Sequence, residues 1–186
     1  AEQVCQTYFA DSYNGWSTAD ISVQKGMQTF TGGSYTPINR ALRNGDSSFL
    51  STDMIDGIVA LHGYLDDSPG LSETTLMYRG LNDLSWIGDG SLQYKSGQDL
   101  VTAINALGGG IYDVADNGFE SSTPVLGQGF TKGCQIVEVT ACPPGTKGAY
   151  IGNKSTCDWE TEWLLNAGEG NKKVILGSEL IDGKVY

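Results

Sequence analysis

The sequence predicts an α+β fold, with helices filling the first half of the chain and strands the second. Met54, Ile55, Ile58, Val59, Leu61 and Leu65 recur at helical spacing and form one apolar face. Residues 135–140 (Gln-Ile-Val-Glu-Val-Thr) alternate with a period of two, which is strand patterning. No internal repeat, low-complexity tract or Pro/Ser-rich linker divides the 186 residues. One domain over residues 1–186 is therefore expected.

The elements follow in order. Residues 4–13 have helix-compatible composition. Asp20 is placed to cap a helix ending near Thr29, and Thr31-Gly32-Gly33-Ser34 breaks it. Ser34 is placed to cap the next, over residues 35–43. Pro37 stands in its first turn, where a missing N–H costs little, and Asn44-Gly45-Asp46 stops it. Ser51 or Thr52 opens the helix that carries the apolar face. A strand is predicted over 76–80 and a helix over 98–107, ended by Gly108-Gly109-Gly110. Residues 119–123 read as extended. Strands are predicted over 135–140, 149–151, 160–165 and 174–176.

Composition narrows the function classes. Apolar residues make up 39% and charged residues 18%, a globular balance. The 26 glycines point to many turns. A net charge of -11 with only 11 scattered basic residues argues against nucleic acid and against an anionic membrane surface. An acidic surface suits a basic protein partner. No apolar run approaches the roughly 18 residues that span a bilayer. The chain begins at Ala1 with no initiator Met and no apolar leader, so a removed leader and a trimmed chain both account for its start.

Four cysteines, Cys5, Cys134, Cys142 and Cys157, permit two disulfides in three connectivities, and Cys134 and Cys142 are placed to close a short excursion. Disulfides in an exported protein are preferred over free thiols. Cys157 also reads as a reactive thiol. No paired-cysteine metal spacing occurs and His62 is the sole histidine, so no metal is expected. His62 reads as a core or boundary residue. The glycine-rich pieces match neither a G-x-G-x-x-G turn nor a P-loop.

Three segments carry the chemistry: Tyr78-Arg79-Gly80, Phe119-Glu120-Ser121-Ser122-Thr123 and Glu160-Thr161-Glu162. In a strand, Glu160 and Glu162 face one side, and Trp163-Leu164-Leu165 places them at the mouth of a buried strand. A solvated edge is the bland alternative. Arg79 ends an apolar strand and precedes a glycine, which suits a diphosphate or ribose contact. Its alternative is a structural salt bridge to one of those glutamates.

In this order the segments resemble the Arg-Ser-Glu class of mono-ADP-ribosyltransferases, whose pattern is aromatic-Arg, then Ser-Thr-Ser, then Glu-x-Glu. Ser121-Ser122-Thr123 departs from the middle motif and retains its first serine. The flanks are similar too. Phe30 to Arg43 resembles the family's "Tyr-Thr-Gly … Tyr … Ile-Asn … Leu-Arg" helix. Gly145 to Ile151 resembles the strand leading to Glu-x-Glu, and Leu164 to Gly168 its "Leu-Leu … Gly" tail. The resemblance spans residues 24–180.

It implies a helical N-terminal part followed by a two-sheet mixed β core, with NAD as co-substrate. Glu162 would stabilise an oxocarbenium-like ribose as nicotinamide leaves. Ser121 would orient Glu162, and Arg79 would clamp the diphosphate or adjoining ribose. The Gly80 backbone would read the nicotinamide amide, and Phe130 would stack on the ring or serve as a plain core residue. Family members with Glu at the position of Glu160 generally modify arginine, so a protein arginine is the expected acceptor. Trp159, in a loop resembling the target-recognition turn, would contact that partner.

A monomeric secreted bacterial toxin, or a phage-encoded modifier delivered into a host, fits this reading. An NAD glycohydrolase and a non-catalytic binding module on the same fold are the rivals. A carbohydrate-cleaving enzyme is more remote, since its carboxylates usually come from different segments.

Overall fold

The computed structural model describes residues 1–82, 84, 90–113, 116–152, 161–169 and 172–186. Helices come first: α1 (Glu2–Tyr8), α2 (Ala10–Thr18), α3 (Ile21–Thr29), α4 (Tyr35–Asn44) and α5 (Thr52–Asp67), with α6 (Gly97–Ala106) later. The strands are β1 (Thr75–Leu81), β2 (Ile111–Asp113), β3 (Glu120–Ser122), β4 (Ile136–Cys142), β5 (Gly148–Tyr150), β6 (Trp163–Leu165), β7 (Lys172–Val174), β8 (Leu180–Ile181) and β9 (Lys184–Val185).

The single helix expected over residues 4–13 is two helices. The chain breaks at Phe9, whose ring is buried against Tyr150 and Trp163, so anchoring the ring prevails over helical continuity. Ser51 caps α5, its Oγ accepting from the Met54 N–H at 3.3 Å. Asp20 and Ser34 form no side-chain cap. At Asp20 the backbone carbonyl takes the Val23 N–H that a side chain would have bonded. Ser34 closes a π-turn (Phe30–Ser34) that carries the chain from α3 into α4, so it lacks the extended backbone of an N-cap. The expected break there is a bend, made at Gly33 with φ 104°.

Helices α3 and α5 cross with their backbones almost touching. A Cβ on Gly26 would lie 2.1 Å from the Gly57 carbonyl oxygen. The buried face of α5 is consequently Gly57, Ile58, Leu61 and Leu65. Val59, expected on that face, is 66% exposed. His62 is exposed on α5, with Nδ1 2.9 Å from Asn166 Oδ1, which fits the boundary alternative.

Two main sheets form. One runs β1-β4-β9-β8, antiparallel except for the parallel β4–β9 pair; the other runs β3-β6-β5. A two-stranded ribbon, β2-β7, stands beside them. Every residue of β6 is buried because each of its faces has a core. Leu164 joins Trp16, Met27, Ile38, Leu61 and Phe119 beneath the helices. Trp163 and Leu165 join Phe9, Met77 and Tyr150 on the other side. A third cluster packs Leu100 and Ile104 of α6 on Val185.

The strand predicted over 160–165 starts at Trp163. Thr161 is left-handed at φ 51°, which interrupts extended backbone ahead of Glu162, and Glu160 lies outside the described residues. The strand expected over 174–176 lies two residues earlier, at β7, and β2, β8 and β9 were not expected. Cys5, Cys134 and Cys142 are free thiols, against the expected disulfides. The supposed excursion from Cys134 to Cys142 is largely strand β4, and seven extended residues hold their ends about 20 Å apart.

Candidate active site

The site forms where the two main sheets meet. Tyr78 and Thr123 exchange two backbone hydrogen bonds, of 2.8 and 2.9 Å, which sets Arg79 and Gly80 beside Ser121. Pairing of β3 with β6 then brings Glu162, one residue ahead of β6, to the same place. Ser121 Oγ donates to Glu162 Oε1 at 2.5 Å. Glu162 is 5% exposed, and its backbone carbonyl accepts from the Ile151 N–H at 2.9 Å. A β-branched residue at positive φ is strained, and that strain at Thr161 directly precedes the carboxylate.

A cleft of about 530 Å³ opens over this pair, lined by Tyr35, Asn39 and Arg43 of α4, by Tyr78, Arg79 and Gly80 of β1, and by Ser121, Phe130, Cys134 and Glu162. Its size lies within the range of small-molecule sites. Phe130 is 57% exposed at the cleft and is no core residue. Gly80 has a packing cause: a Cβ there would lie 2.4 Å from the Phe130 carbonyl oxygen and 2.9 Å from Cys134 Sγ. Ser122 Oγ donates to the Trp163 carbonyl, and Thr123 Oγ1 accepts from the Val125 N–H. Those hydroxyls fasten the backbone, while Ser121 meets the carboxylate.

Arg79 is ion-paired, Nη1 to Glu120 Oε2 at 2.6 Å. Of the two glutamates that the sequence suggested, Glu160 lies outside the described residues, and the pair formed among the described ones is with Glu120. Trp159, Glu160 and Cys157 lie outside the described residues.

Sequence reasoning missed Glu120, Cys134 and the roles of Asn39 and Arg43. The last two stand four apart on α4 and so share a face, a usable signal. Asn39 ties α4 to β3, accepting from the Phe119 N–H at 2.9 Å and donating to its carbonyl at 3.0 Å. An acid inside a buried strand, such as Glu120, announces a partner.

Arg43 meets Asp116 with two hydrogen bonds of 2.7 and 2.8 Å. Burial pushes the Asp116 carboxyl up. The Arg43 guanidinium and the Gly118 N–H outweigh it and hold the group below the usual carboxylate range. A depressed folded value stabilises the protein above the unfolded carboxylate pKa of about 3.9, and that contribution disappears as pH falls through the folded value. Asp116→Asn is therefore expected to lower Tm near neutral pH by the equivalent of at most about 1 kcal/mol, since the pair is partly exposed. The variant's deficit should shrink as melts are taken to pH values below about 3.9, as the carboxylate is protonated. A deficit independent of pH would show that the pair contributes nothing through charge.

Elsewhere burial, with Glu138 nearby, pushes the Cys142 thiol up to about 11, which leaves it unreactive at neutral pH. Among the described residues no cluster of three or more His, Cys, Asp or Glu side chains is placed to hold a metal ion. Nor is any described helix long and apolar enough to cross a membrane.

Known structures share this architecture. C3stau2 from S. aureus superposes with TM-score 0.75 at 24% identity, over 100% of this chain and 92% of that one. Plx2a, an ADP-ribosyltransferase toxin from Paenibacillus larvae, gives 0.75 at 19% identity, over 99% and 92%. The Clostridium limosum C3 exoenzyme gives 0.74 at 17% identity, over 100% and 91%. No curated protein matches the sequence significantly. The profile of ADP-ribosyltransferase exoenzymes, by contrast, matches residues 6–172. The α+β fold agrees with that match, and the chain belongs to the ADP-ribosyltransferase exoenzyme family.

Proposed function

We propose that this chain is a mono-ADP-ribosyltransferase toxin whose single catalytic domain cleaves NAD and transfers ADP-ribose to a protein arginine. The observation that carries this is the Ser121–Glu162 hydrogen bond in a cleft flanked by Arg79. A buried carboxylate held by a hydroxyl is preorganised to face positive charge. C3stau2 was solved with NAD, which supports the same dinucleotide here.

In the reaction the bond between ribose C1′ and the nicotinamide nitrogen breaks, and its electron pair leaves with nicotinamide. Glu162 stabilises the cationic ribose, held by Ser121. Arg79 takes the diphosphate or the adjoining ribose, the Gly80 backbone meets the carboxamide, and Phe130 stacks on the ring. An arginine nitrogen then attacks C1′ and releases a proton. Glu160 pairs with the incoming guanidinium, and Trp159 contacts the target protein. The protein acts outside the cell that makes it, on a basic target that its charge of -11 would attract.

The test is incubation with NAD and agmatine, a free guanidinium acceptor. ADP-ribosyl-agmatine should form, and Glu160→Gln should cut transfer about tenfold or more while nicotinamide release persists. Release without transfer by the wild type would favour a glycohydrolase. No release from folded protein would leave a binding module.

A further inference from the structure

Behind the cleft Arg79 begins a chain of four charges, and the proposed chemistry leaves the other three unused. Arg79 Nη1 is 2.6 Å from Glu120 Oε2, which is 3.5 Å from Lys173 Nζ, itself 2.7 Å from Glu138 Oε1. The Glu120 side chain is 4% exposed, Lys173 and Glu138 are partly buried at 13% and 14%, and Arg79 reaches the cleft at 26%. The charges alternate in sign and sum to zero. They also come from every sheet: Arg79 and Glu138 from the β1–β4 pair, Glu120 from β3 and Lys173 from β7.

Such a chain is a poor way to gain stability. Desolvating the ions costs about what their attraction returns, and apolar residues of similar volume often serve as well. What it does supply is geometry. Arginine is long and flexible, and a guanidinium held on one side by a fixed carboxylate loses less freedom when an anion arrives on the other. Glu138, directly opposite Arg79 in the β1–β4 register, is the competing carboxylate. Lys173 and the Thr140 hydroxyl, at 3.0 Å, both hold its Oε1, while its buried Oε2 has no hydrogen-bond partner among the described residues, so it is the pull of Lys173 that turns Glu138 from Arg79, and Arg79 pairs with Glu120.

We infer that Glu120 is a positioning residue for Arg79, with Lys173 holding Glu138 away from it, so that the buried chain fixes the guanidinium where the cleft takes the diphosphate of its dinucleotide. The second half of this inference rests on the proposed use of NAD; the first does not.

Two variants separate positioning from mere charge balance. Glu120→Leu leaves one excess buried cation, so both stability and affinity should fall. Glu120→Leu with Lys173→Met restores neutrality between Arg79 and Glu138 and should recover Tm. In that double variant Arg79 is drawn to Glu138. KM for NAD should stay raised about tenfold or more, with kcat within about twofold. A double variant with both Tm and KM restored would overturn the inference, as would Glu120→Leu with an unchanged KM.

Nitrogen-15 NMR of the arginine side chains provides an arm that needs no turnover. In ligand-free wild type the Arg79 guanidinium should show slowed rotation, and both variants should change it. Wild-type rotation as fast as that of an exposed arginine, or unchanged in the variants, would overturn the positioning role even if NAD is cleaved. Slowed rotation in a protein that neither binds nor cleaves NAD would sink the proposed function and leave the positioning intact. Should Glu120→Leu not fold, Glu120→Asp keeps the charge, withdraws it by one methylene, and is read by the same two measurements.

Discussion

Replacing Glu162 by Gln is expected to slow nicotinamide release from NAD by about 10²- to 10³-fold or more, while the protein stays folded. The substitution preserves shape, and an amide oxygen can still accept the Ser121 hydroxyl that now lies 2.5 Å from Oε1. What disappears is the negative charge, at a site only 5% exposed, where water cannot stand in for it. The loss should fall on kcat, because the ribose becomes positive only as the glycosidic bond stretches. Folding should be retained, since the amide keeps the shape of the side chain and the Ser121 hydrogen bond. Chromatographic assay of nicotinamide, beside a thermal melt, checks both halves. A variant that keeps a tenth of wild-type activity would remove Glu162 from the chemistry.

The largest effect on stability is expected from Gly26→Ala. The new methyl would lie 2.1 Å from the Gly57 oxygen and 2.7 Å from its carbonyl carbon. Both are backbone atoms of another helix, so no rotamer change relieves the clash, and α3 must move off α5. That movement opens the contact shared by Met27, Leu61 and Leu65, all fully buried. A cost of about 3 kcal/mol or more follows, or about 10 °C in Tm for a chain of this size. Gly63→Ala on α5 is the control. Nothing lies within 4 Å of its Cβ, so the change should stabilise by about 0.5–1 kcal/mol through helix propensity alone. Similar melts for both variants would mean that the helices are not packed as described.

The parts of the fold that the sequence revealed are those where one local rule operates over many residues. The α5 helix showed itself by its apolar spacing and the Ser51 cap, and β4 by its alternation. Strands β8 and β9 are two residues each, too short for any period to register, and exist only because β4 offers a partner. Val59 misled because the contact on α5 belongs to a glycine, which carries no hydrophobic signal. Arg79, Ser121 and Glu162 were legible as an ordered set of motifs, and the cleft brings them together. Glu120 was passed over, because its meaning depends on Lys173, 53 residues away. Thr161 hid for a different reason: threonine is a good strand residue, and only tertiary packing forces it left-handed.

That residue has a mechanical consequence. Thr161 turns the chain just ahead of Glu162, whose carbonyl accepts from the Ile151 N–H, and β6 begins directly after it. Glu162 is thereby clamped by backbone on both sides, from β5 through Ile151 and from β3 through β6. The carboxylate's address is set by main-chain pairing, so a change to its own side chain alters what the cleft can do without altering where that side chain stands.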